Sequence, residues 1–277
     1  MPDDELLNPL LGRIRASLPA KRALLVVGIC GAQGSGKTTL VAALAKVLEA
    51  EGIAAATLSL DDLYLTRAER QELVRTAHPL FATRGVPGTH DVALGLDTID
   101  ALERGEAARL PRFDKGSDER APFGTWPSAP ENTQVLLLEG WCLGARPQDP
   151  AALADPVNAL EADEDPDGIW RTHANAALAG PCQALFERID LLVLLGAPGW
   201  GIVAKWREQQ EADLRATGAA RAMEPLQVQH FIQHYERLTR WILEEMPGRA
   251  DLTVRLGEAR EVLGLSWQSP GQAPSGK

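Results

Sequence analysis

A glycine-rich segment between an apolar run and a helical run constrains this chain more than any other feature. Residues 23–30 (ALLVVGIC) have the continuous apolar character of a strand that is buried on both faces. Residues 31–38 (GAQGSGKT) follow at once, and residues 38–51 have the composition of a helix. The segment matches G-x-x-x-x-G-K-[ST] in the strand–loop–helix context that binds phosphate, which a chance glycine turn would not explain. The sequence therefore predicts a P-loop.

Each residue type in this loop has a chemical reason to be there. Glycine lets the backbone wrap so that successive N–H groups face phosphate oxygens, and the following helix adds the positive end of its dipole. Lys37 is predicted to reach the β- and γ-phosphates of ATP as a catalytic residue, and Thr38 to ligate Mg²⁺. The predicted nucleotide-binding residues are Gly31, Ala32, Gln33, Gly34, Ser35, Gly36, Lys37, Thr38 and Thr39.

A P-loop needs a second carboxylate at the end of a neighbouring strand to hold the metal or its waters. The segment QVLLLEGW has Glu139 directly after a predicted strand at residues 134–138. The alternative is a glutamate that caps the next segment, but beside a full P-loop motif we favour the metal role. A glutamate followed by Gly140 indicates small-molecule kinases over motor ATPases.

Strand-like and helix-like segments alternate along the rest of the chain. The other predicted strands are residues 54–60, 189–195 and 250–256, and the predicted helices are residues 92–104, 170–188, 201–217 and 225–246. This alternation is typical of a parallel sheet with helices on both faces. We expect an α/β chain with the three-layer P-loop NTPase fold, a mainly parallel five-stranded sheet and a helical lid.

We expect residues 1–265 to form a single P-loop kinase domain. Its expected parts are a lead-in helix within residues 1–20, irregular insertions at residues 105–132 and 144–168, and a lid region at residues 199–217. Irregular segments of this length tend to be functional lids or mobile. The acidic run DEDPDG in the second insertion is interpreted as a solvated turn. The tail at residues 266–277 is predicted to be disordered.

The composition of the chain limits the kinds of ligand that we expect it to bind. The net charge is −10, and no basic stripe of the kind that nucleic-acid binding requires is visible, so a small ligand is favoured. The apolar runs are too short to span a bilayer, and the first residues are acidic where a signal peptide is basic. We expect a cytoplasmic protein without a membrane or nucleic-acid partner. The cysteines lack metal-ligand spacing and are expected in or near the core: Cys30, Cys142 and Cys182.

The predicted strand at residues 54–60 is followed by Asp61 and Asp62. Ligands of open α/β sheets bind at the carboxyl ends of strands, where a carboxylate can take a proton from an acceptor hydroxyl or orient it. Asp61 is our choice for this catalytic role. Asp62 is the alternative, since the pair could also cap a helix that starts near Thr66. Tyr64 is more often a packing residue, but it is counted with Asp62 among the candidate substrate-binding residues.

Two later segments, residues 84–91 and 110–120, carry polar groups that suit an anionic acceptor. A carboxylate or a transferring phosphoryl group needs cations, and arginine offers bidentate contact. A solvated surface charge is the alternative for each cation, and Asp91 can also cap the helix that follows it. The predicted substrate-binding residues here are Arg84, His90, Asp91, Arg112, Lys115 and Arg120.

The predicted lid helix supplies further candidates. Lids of P-loop kinases commonly place an arginine over the transferring group, and Arg207 is the first candidate for this catalytic role, before Lys205. On the next helix, His230 and His234 are four residues apart without a third ligand in the sequence. We interpret them as helix-surface or packing residues.

Several blocks together resemble the D-glycerate 3-kinases of plants, fungi and bacteria, within the phosphoribulokinase, uridine kinase and pantothenate kinase group. They run in family order over roughly residues 22–256. The blocks are GAQGSGKTTL (31–40), SLDDLYLT (59–66), HPLFATRGVPGTHD (78–91), LPRFDKGSDER (110–120), LEGWCLG (138–144) and WREQQE (206–211).

The resemblance implies ATP-dependent phosphorylation of D-glycerate to 3-phosphoglycerate, and it supports Asp61 as the base and Glu139 at the metal. A kinase for another small acceptor, such as a nucleoside, pantothenate or a sugar derivative, is the first alternative. A nucleotide-dependent switch would favour a guanine-specific N-K-x-D motif, which is absent from the sequence. A non-catalytic nucleotide-binding protein is disfavoured by the intact Lys37, Thr38, Asp61 and Glu139.

Overall fold

A six-stranded sheet lies at the centre of the protein in the computed structural model, which describes residues 4–20, 24–216 and 223–268. The sheet order is β2-β5-β1-β6-β7-β8, and β3 pairs with β4 in a separate two-stranded hairpin. The strands are β1 (Leu25–Gly31), β2 (Ala55–Ser59), β3 (Phe113–Asp114), β4 (Glu119–Arg120), β5 (Val135–Gly140), β6 (Leu191–Gly196), β7 (Leu252–Leu256) and β8 (Val262–Trp267).

The first five strands of the sheet are the predicted ones, and they run parallel. The expected count of five is short by one, because β8 adds an antiparallel strand beside β7. Ser266 and Trp267 belong to β8, so the expected disordered tail does not begin at residue 266; residues 269–277 lie outside the described part of the chain. Gly264 interrupts the alternation of apolar and polar residues in 262–267, so the sequence pattern does not indicate a strand there.

Helices cover both faces of the sheet. They are α1 (Asp4–Ser17), α2 (Lys37–Ala50), α3 (Arg67–Thr76), α4 (Val92–Glu103), α5 (Ala159–Glu164), α6 (Ile169–Ala177), α7 (Gln183–Phe186), α8 (Trp200–Ala216) and α9 (Pro225–Glu245). The single helix expected at residues 170–188 is interrupted by a π-helical segment, Leu178–Cys182. Pro181 in that segment has no N–H to donate, which explains the change of hydrogen-bond pattern. In the described residues no helix is long and apolar enough to cross a membrane.

Strand β1 shows why the fold has three layers. All seven of its residues are buried, and alternate side chains enter opposite cores. Val27 and Ile29 pack with Leu10 of α1 and Leu44 of α2 on one face. On the other face lies a core that also holds residues of α4, α7 and α9, and all three free cysteines are buried there, as expected. A strand with two apolar faces has to be covered on both.

A helix was expected to start near Thr66, but the extent of α3 was not predicted, because its only buried residue is Arg70 and it has no apolar stripe. The residue that caps it is Thr66, so the alternative of a cap by Asp61 or Asp62 is wrong. The start of α3 is nevertheless marked in the sequence. The hydroxyl of Thr66 accepts from the Glu69 amide at 3.3 Å, and the Glu69 carboxylate accepts from the Thr66 amide at 2.7 Å. This reciprocal capping stabilises a helix that composition alone does not favour.

The two insertions are more ordered than expected. Residues 105–132 contain the β3–β4 hairpin, which lies against the end of β2, and residues 144–168 contain α5. The interpretation of DEDPDG as a solvated turn is wrong at Asp165, whose side chain is 1% exposed. Its carboxylate accepts from the amides of Trp170 and Arg171 and pairs with the Arg171 guanidinium at 2.9 Å. Burial of this aspartate is possible because each of its oxygens has a donor.

Candidate active site

The sheet order brings three predicted segments to one edge. In the register of the sheet, Glu139 of β5 lies between Ile29 of β1 and Ser59 of β2. The P-loop follows β1 and Asp61 follows β2, so all three groups meet at the carboxyl ends of parallel strands. This edge is where ligands of open α/β sheets bind.

The P-loop has the backbone that its glycines allow. Gly34 and Gly36 have φ angles of 78° and 90°, in the left-handed region that other residues avoid. The Lys37 ammonium donates to the Ala32 carbonyl at 3.1 Å, within the loop itself. The Ser35 hydroxyl is buried without a hydrogen-bond partner in the described structure. A cradle of amides with an unsatisfied hydroxyl fits a phosphate group.

Two oxygen ligands for a metal converge beside this loop. The Thr38 hydroxyl donates to the Glu139 carboxylate at 3.0 Å, and Glu139 is buried. The donor set suits Mg²⁺, which prefers oxygen ligands and retains waters or substrate phosphates in its shell. Within the described residues no cluster of three or more His, Cys, Asp or Glu side chains could hold a metal alone.

Asp61 is held by two donors. The Tyr64 hydroxyl donates to Oδ1 at 2.6 Å, and the Lys115 ammonium donates to Oδ2 at 2.5 Å. Burial raises the pKa of Asp61, but Lys115, Tyr64 and the charge of Lys37 outweigh burial, so the pKa is lowered. The carboxylate is thus ionised at neutral pH and can orient a hydroxyl or take its proton.

Asp62 has other partners than Asp61. Its Oδ1 accepts from the Phe113 amide at 3.1 Å, and its Oδ2 lies 3.4 Å from the Arg112 guanidinium. Burial raises the pKa of Asp62, and the neighbouring charge of Asp61 acts in the same direction. The side chain fastens β3 to the end of β2. This arrangement favours Asp61 over Asp62 as the residue that faces an acceptor.

The β3–β4 hairpin brings the predicted cations to the aspartates of this edge. Lys115 pairs with Asp61 and Arg112 with Asp62, as described above. Arg120 pairs with Asp91 at 2.8 Å. Asp91 also caps α4, since it accepts from the Leu94 amide at 3.0 Å, so the capping role predicted for it is confirmed. Each of these three cations therefore lies beside a carboxylate, and contact of any of them with a substrate stays a prediction.

Arg84 has a partner that the sequence analysis missed. Its guanidinium donates to Asp118 at 2.6 Å and lies 5.9 Å from the ring centroid of Tyr64. Asp118 also binds the buried Arg70 at 2.5 Å. It has a φ of 60° at the turn of the hairpin, a conformation that aspartate tolerates better than most residues. Only the turn composition around residues 116–118 hinted at this position.

His90 and Tyr64 form a buried aromatic pair, with ring centroids 5.1 Å apart. Burial lowers the pKa of His90 to about 4, so the imidazole is neutral at physiological pH. His90 therefore offers no positive charge to a carboxylate. Tyr64 packs as expected and also orients Asp61 through its hydroxyl. Contact of either residue with a substrate stays a prediction.

The predicted lid helix is α8. Arg207 pairs with Glu211 on the same helix, and its guanidinium lies 5.4 Å from the ring centroid of Phe231 on α9. Lys205 is exposed. Because Arg207 is partly buried and Lys205 is exposed, we favour Arg207 over Lys205 as the cation of the lid. His230 lies on the exposed surface of α9 beside Glu164, and His234 is buried, which matches their interpretation as surface or packing residues.

Tyr235 of α9 is a second residue that the sequence did not reveal. Its hydroxyl donates to the Arg84 carbonyl at 2.9 Å, and Gly85 has a φ of 122° where a Cβ atom would lie 2.3 Å from that hydroxyl. The Trp141 indole donates to the Gly85 carbonyl at 2.7 Å. Glycine at residue 85 thus lets α9 and the segment after β5 fix the loop that carries Arg84.

Comparison with known proteins agrees with this geometry. A profile of the phosphoribulokinase/uridine kinase family matches residues 26–155. An uncharacterized kinase of Schizosaccharomyces pombe, mug58, is 35% identical over 220 aligned residues. The alignment covers 76% of this chain and 78% of the yeast protein. The chloroplastic D-glycerate 3-kinase of Arabidopsis thaliana is 34% identical over 222 aligned residues, which cover 76% of this chain but only 46% of the plant enzyme.

A solved structure is similar over nearly the whole chain. The D-glycerate 3-kinase of Cryptococcus neoformans superposes with a TM-score of 0.80 at 25% identity, and the match covers 95% of this chain and 99% of that one. The chain therefore belongs to the phosphoribulokinase/uridine kinase family of P-loop kinases, with D-glycerate 3-kinases among its homologues in sequence and structure.

Proposed function

We propose that the protein transfers the γ-phosphoryl group of ATP to a hydroxyl of D-glycerate and yields 3-phosphoglycerate. One observation carries the proposal: the β3–β4 hairpin sets Lys115 and Arg112 against the two aspartates that follow β2, at the edge where the P-loop lies. An acid with adjacent hydroxyls needs a cation for its carboxylate and a carboxylate for its hydroxyl. Both kinds of group are present in this cluster.

The nucleotide side of the proposal uses residues 31–39. The loop amides and Lys37 bind the β- and γ-phosphates, and Thr38 and Glu139 hold Mg²⁺. When bound, Mg²⁺ supplies positive charge that neutralises the phosphate oxygens. Lys37 exchanges its present acceptor, the Ala32 carbonyl, for a phosphate oxygen. The convergence of the Thr38 and Glu139 oxygens supports this assignment.

The acceptor side uses Asp61 as the base. Its carboxylate accepts the proton of the glycerate hydroxyl while that oxygen forms a bond to the γ-phosphorus and the bond to the β-phosphate oxygen breaks, which releases ADP. Tyr64 keeps the carboxylate oriented through its hydroxyl. Arg207 stabilises the charge on the phosphoryl group from the lid.

The carboxylate of the substrate takes the place of the aspartates as the partner of the cations in this cluster. Arg84 and Arg112 are the first candidates, because each guanidinium is held near the strand end by an aspartate and neither is fully buried. Lys115 and Arg120 are the next. The names of the Arabidopsis and Cryptococcus homologues support glycerate as the acid that this cluster binds.

The test is ADP release by the purified protein, coupled to a detection enzyme, with D-glycerate against other hydroxy acids, sugars, nucleosides and pantothenate. We expect D-glycerate to give the highest kcat/KM, and ³¹P NMR to identify a 3-phosphate ester. ADP release with a nucleoside or pantothenate but not with glycerate would overturn the substrate and leave the kinase assignment standing. A single domain that includes the whole of β8, and so extends past the predicted end at residue 265, completes the proposal together with a cytoplasmic location; limited proteolysis and cell fractionation test them.

A further inference from the structure

The turn between β7 and β8 reaches the P-loop through one side chain. The Arg260 guanidinium donates from Nε to the Gly34 carbonyl at 2.6 Å, and the two residues are 226 positions apart. Its Nη atoms lie 3.2 Å from the Gln209 side-chain oxygen, and its Cζ lies 5.1 Å from the ring centroid of Trp206. Gln209 and Trp206 belong to α8. From the turn of the last hairpin, Arg260 thus contacts both the P-loop and the lid helix.

The backbone of Arg260 is in a conformation that arginine avoids. Its φ is 69°, in the left-handed region, whereas the other non-glycine residues with positive φ in the described chain are Asp118 and Asn132. Aspartate and asparagine tolerate this region through local hydrogen bonds, but arginine has no such compensation. Glycine would suit the turn better. The outlier suggests that the arginine side chain has a role there that glycine could not fill.

The turn does not need that side chain to stay in place. The Gly257 amide donates to the Glu261 carbonyl at 2.8 Å, and the Arg260 amide donates to the Gly257 carbonyl at 3.0 Å. The Trp206 indole donates to the Glu258 carbonyl at 2.7 Å and so fastens the turn to α8. The Arg260 side chain therefore adds the contact with the P-loop to a turn that other bonds already hold.

The bonded carbonyl belongs to a peptide of the phosphate cradle. The Gly34 carbonyl and the Ser35 amide share one peptide plane, and the Ser35 amide donates to the Ala32 carbonyl at 3.2 Å. A P-loop binds phosphate through amides, so a carbonyl that turned toward the phosphates would repel them. Gly34, with a φ of 78°, has no side chain to restrain such a rotation. The bond from the Ser35 amide holds one side of this peptide, and the bond from Arg260 holds its carbonyl on the other side.

We propose that Arg260 is a positioning residue for the P-loop, which fixes the peptide between Gly34 and Ser35 and ties the loop to the lid helix. The inference rests on the proposed function only in that the P-loop binds a nucleotide; it does not depend on the acceptor. It concerns a residue outside the part of the chain that matches the family profile.

The experiment compares the unaltered protein with R260G and R260K, and uses R255A as the control, since Arg255 is an exposed arginine of the same hairpin. The dissociation constant of ADP is measured by calorimetry, together with the thermal midpoint of the ligand-free protein. We expect R260G to bind ADP about tenfold more weakly, as the loss of one charge-assisted hydrogen bond implies, with R260K between the two. R255A binds ADP as the unaltered protein does.

Two further readouts separate positioning from a structural role. Glycine suits the turn, so R260G keeps or raises the thermal midpoint while it loses affinity. Added guanidinium at low concentration restores part of the ADP affinity of R260G and leaves R255A unchanged. Parent-like affinity in R260G would contradict this proposal alone. So would a loss that comes with a lower midpoint and is not restored by guanidinium. Failure of the unaltered protein to bind ADP would contradict the proposed function as well.

Discussion

The ammonium nitrogen of Lys115 lies 2.5 Å from Oδ2 of Asp61, although the two residues are 54 positions apart. Burial raises the pKa of this aspartate, and Lys115 is the largest of the influences that reverse the shift and lower it. A base must be deprotonated to accept a proton. The ion pair therefore extends the pH range of the active form toward acid.

We predict that K115M moves the acid limb of the kcat/KM profile, which reports the free enzyme, to higher pH. Without the ammonium, burial acts against fewer positive charges, so the pKa of Asp61 rises and the protonated, inactive form persists to higher pH. Initial rates at subsaturating D-glycerate, followed from acid to mildly alkaline pH, measure the shift. K46M is the matched control, because Lys46 is an exposed lysine of α2. An active K115M enzyme with the acid limb of the unaltered protein would disprove the assignment.

Lys37 should matter for transfer and not for folding. We predict that K37A lowers kcat about 10³-fold, because the mutation removes a charge that gains importance as the γ-phosphoryl group departs. Circular dichroism and the thermal midpoint should stay near those of the unaltered protein. K46A, which removes an exposed lysine of the same helix, should retain full activity. Near-normal turnover in a folded K37A variant would contradict the role of the P-loop lysine.

Two substitutions by asparagine distinguish the role of Asp61 from that of Asp62. We predict that D61N lowers kcat about 10²- to 10⁴-fold with little change in KM for ATP, because asparagine keeps the size but loses the basicity. D62N should lower kcat less and the thermal midpoint more, since Asp62 binds the Phe113 amide and Arg112. A larger loss of kcat in D62N than in D61N would reverse the assignment.

Arginines of the acceptor cluster should affect KM for the acid. We predict that R112A or R84A raises KM for D-glycerate about tenfold, and leaves KM for ATP nearly unchanged, because a charge-assisted contact with the carboxylate is lost. R13A is a distant control, since Arg13 is an exposed residue of α1. Equal changes in both KM values would indicate damage to the fold of the site and would contradict a specific carboxylate contact.

Arg207 should behave differently from Arg84 and Arg112. We predict that R207A lowers kcat about 10²-fold for every acceptor that the protein accepts, because this arginine stabilises charge on the phosphoryl group and not on the acid. The measurement is kcat with D-glycerate and with its best competing acceptor. If R207A raised KM for glycerate alone, the lid assignment would fail.

Local patterns predicted the parts of the fold that neighbours in sequence determine. The P-loop, the five parallel strands and the cap at Asp91 each depend on a few adjacent residues, and the structure has them where they were expected. Asp61 and Asp62 were predicted at the sheet edge because they directly follow the predicted strand at residues 54–60. The strand β8 was missed because Gly264 breaks its alternation. The extent of α3 was not predicted because a polar helix has no apolar period.

Such local patterns could not predict contacts between residues that are far apart in the sequence. The bonds of Asp118 to Arg84 and of Arg260 to Gly34 join segments 34 and 226 positions apart. A charged residue in a turn is most often solvated, so nothing local distinguished Asp118 or Arg260 from other surface charges. Their partners are set by the packing of whole elements, which a single sequence does not specify.

The position of β1 in the sheet has a consequence for synthesis on the ribosome. The strand that leads into the P-loop is complete at Gly31, yet its two neighbours are β5 and β6, and Gly31 pairs with Leu195. About two thirds of the chain must therefore leave the exit tunnel before β1 has both neighbours. A ligand stabilises only a state that can bind it. Binding of ATP consequently cannot stabilise the nascent protein until translation is well advanced.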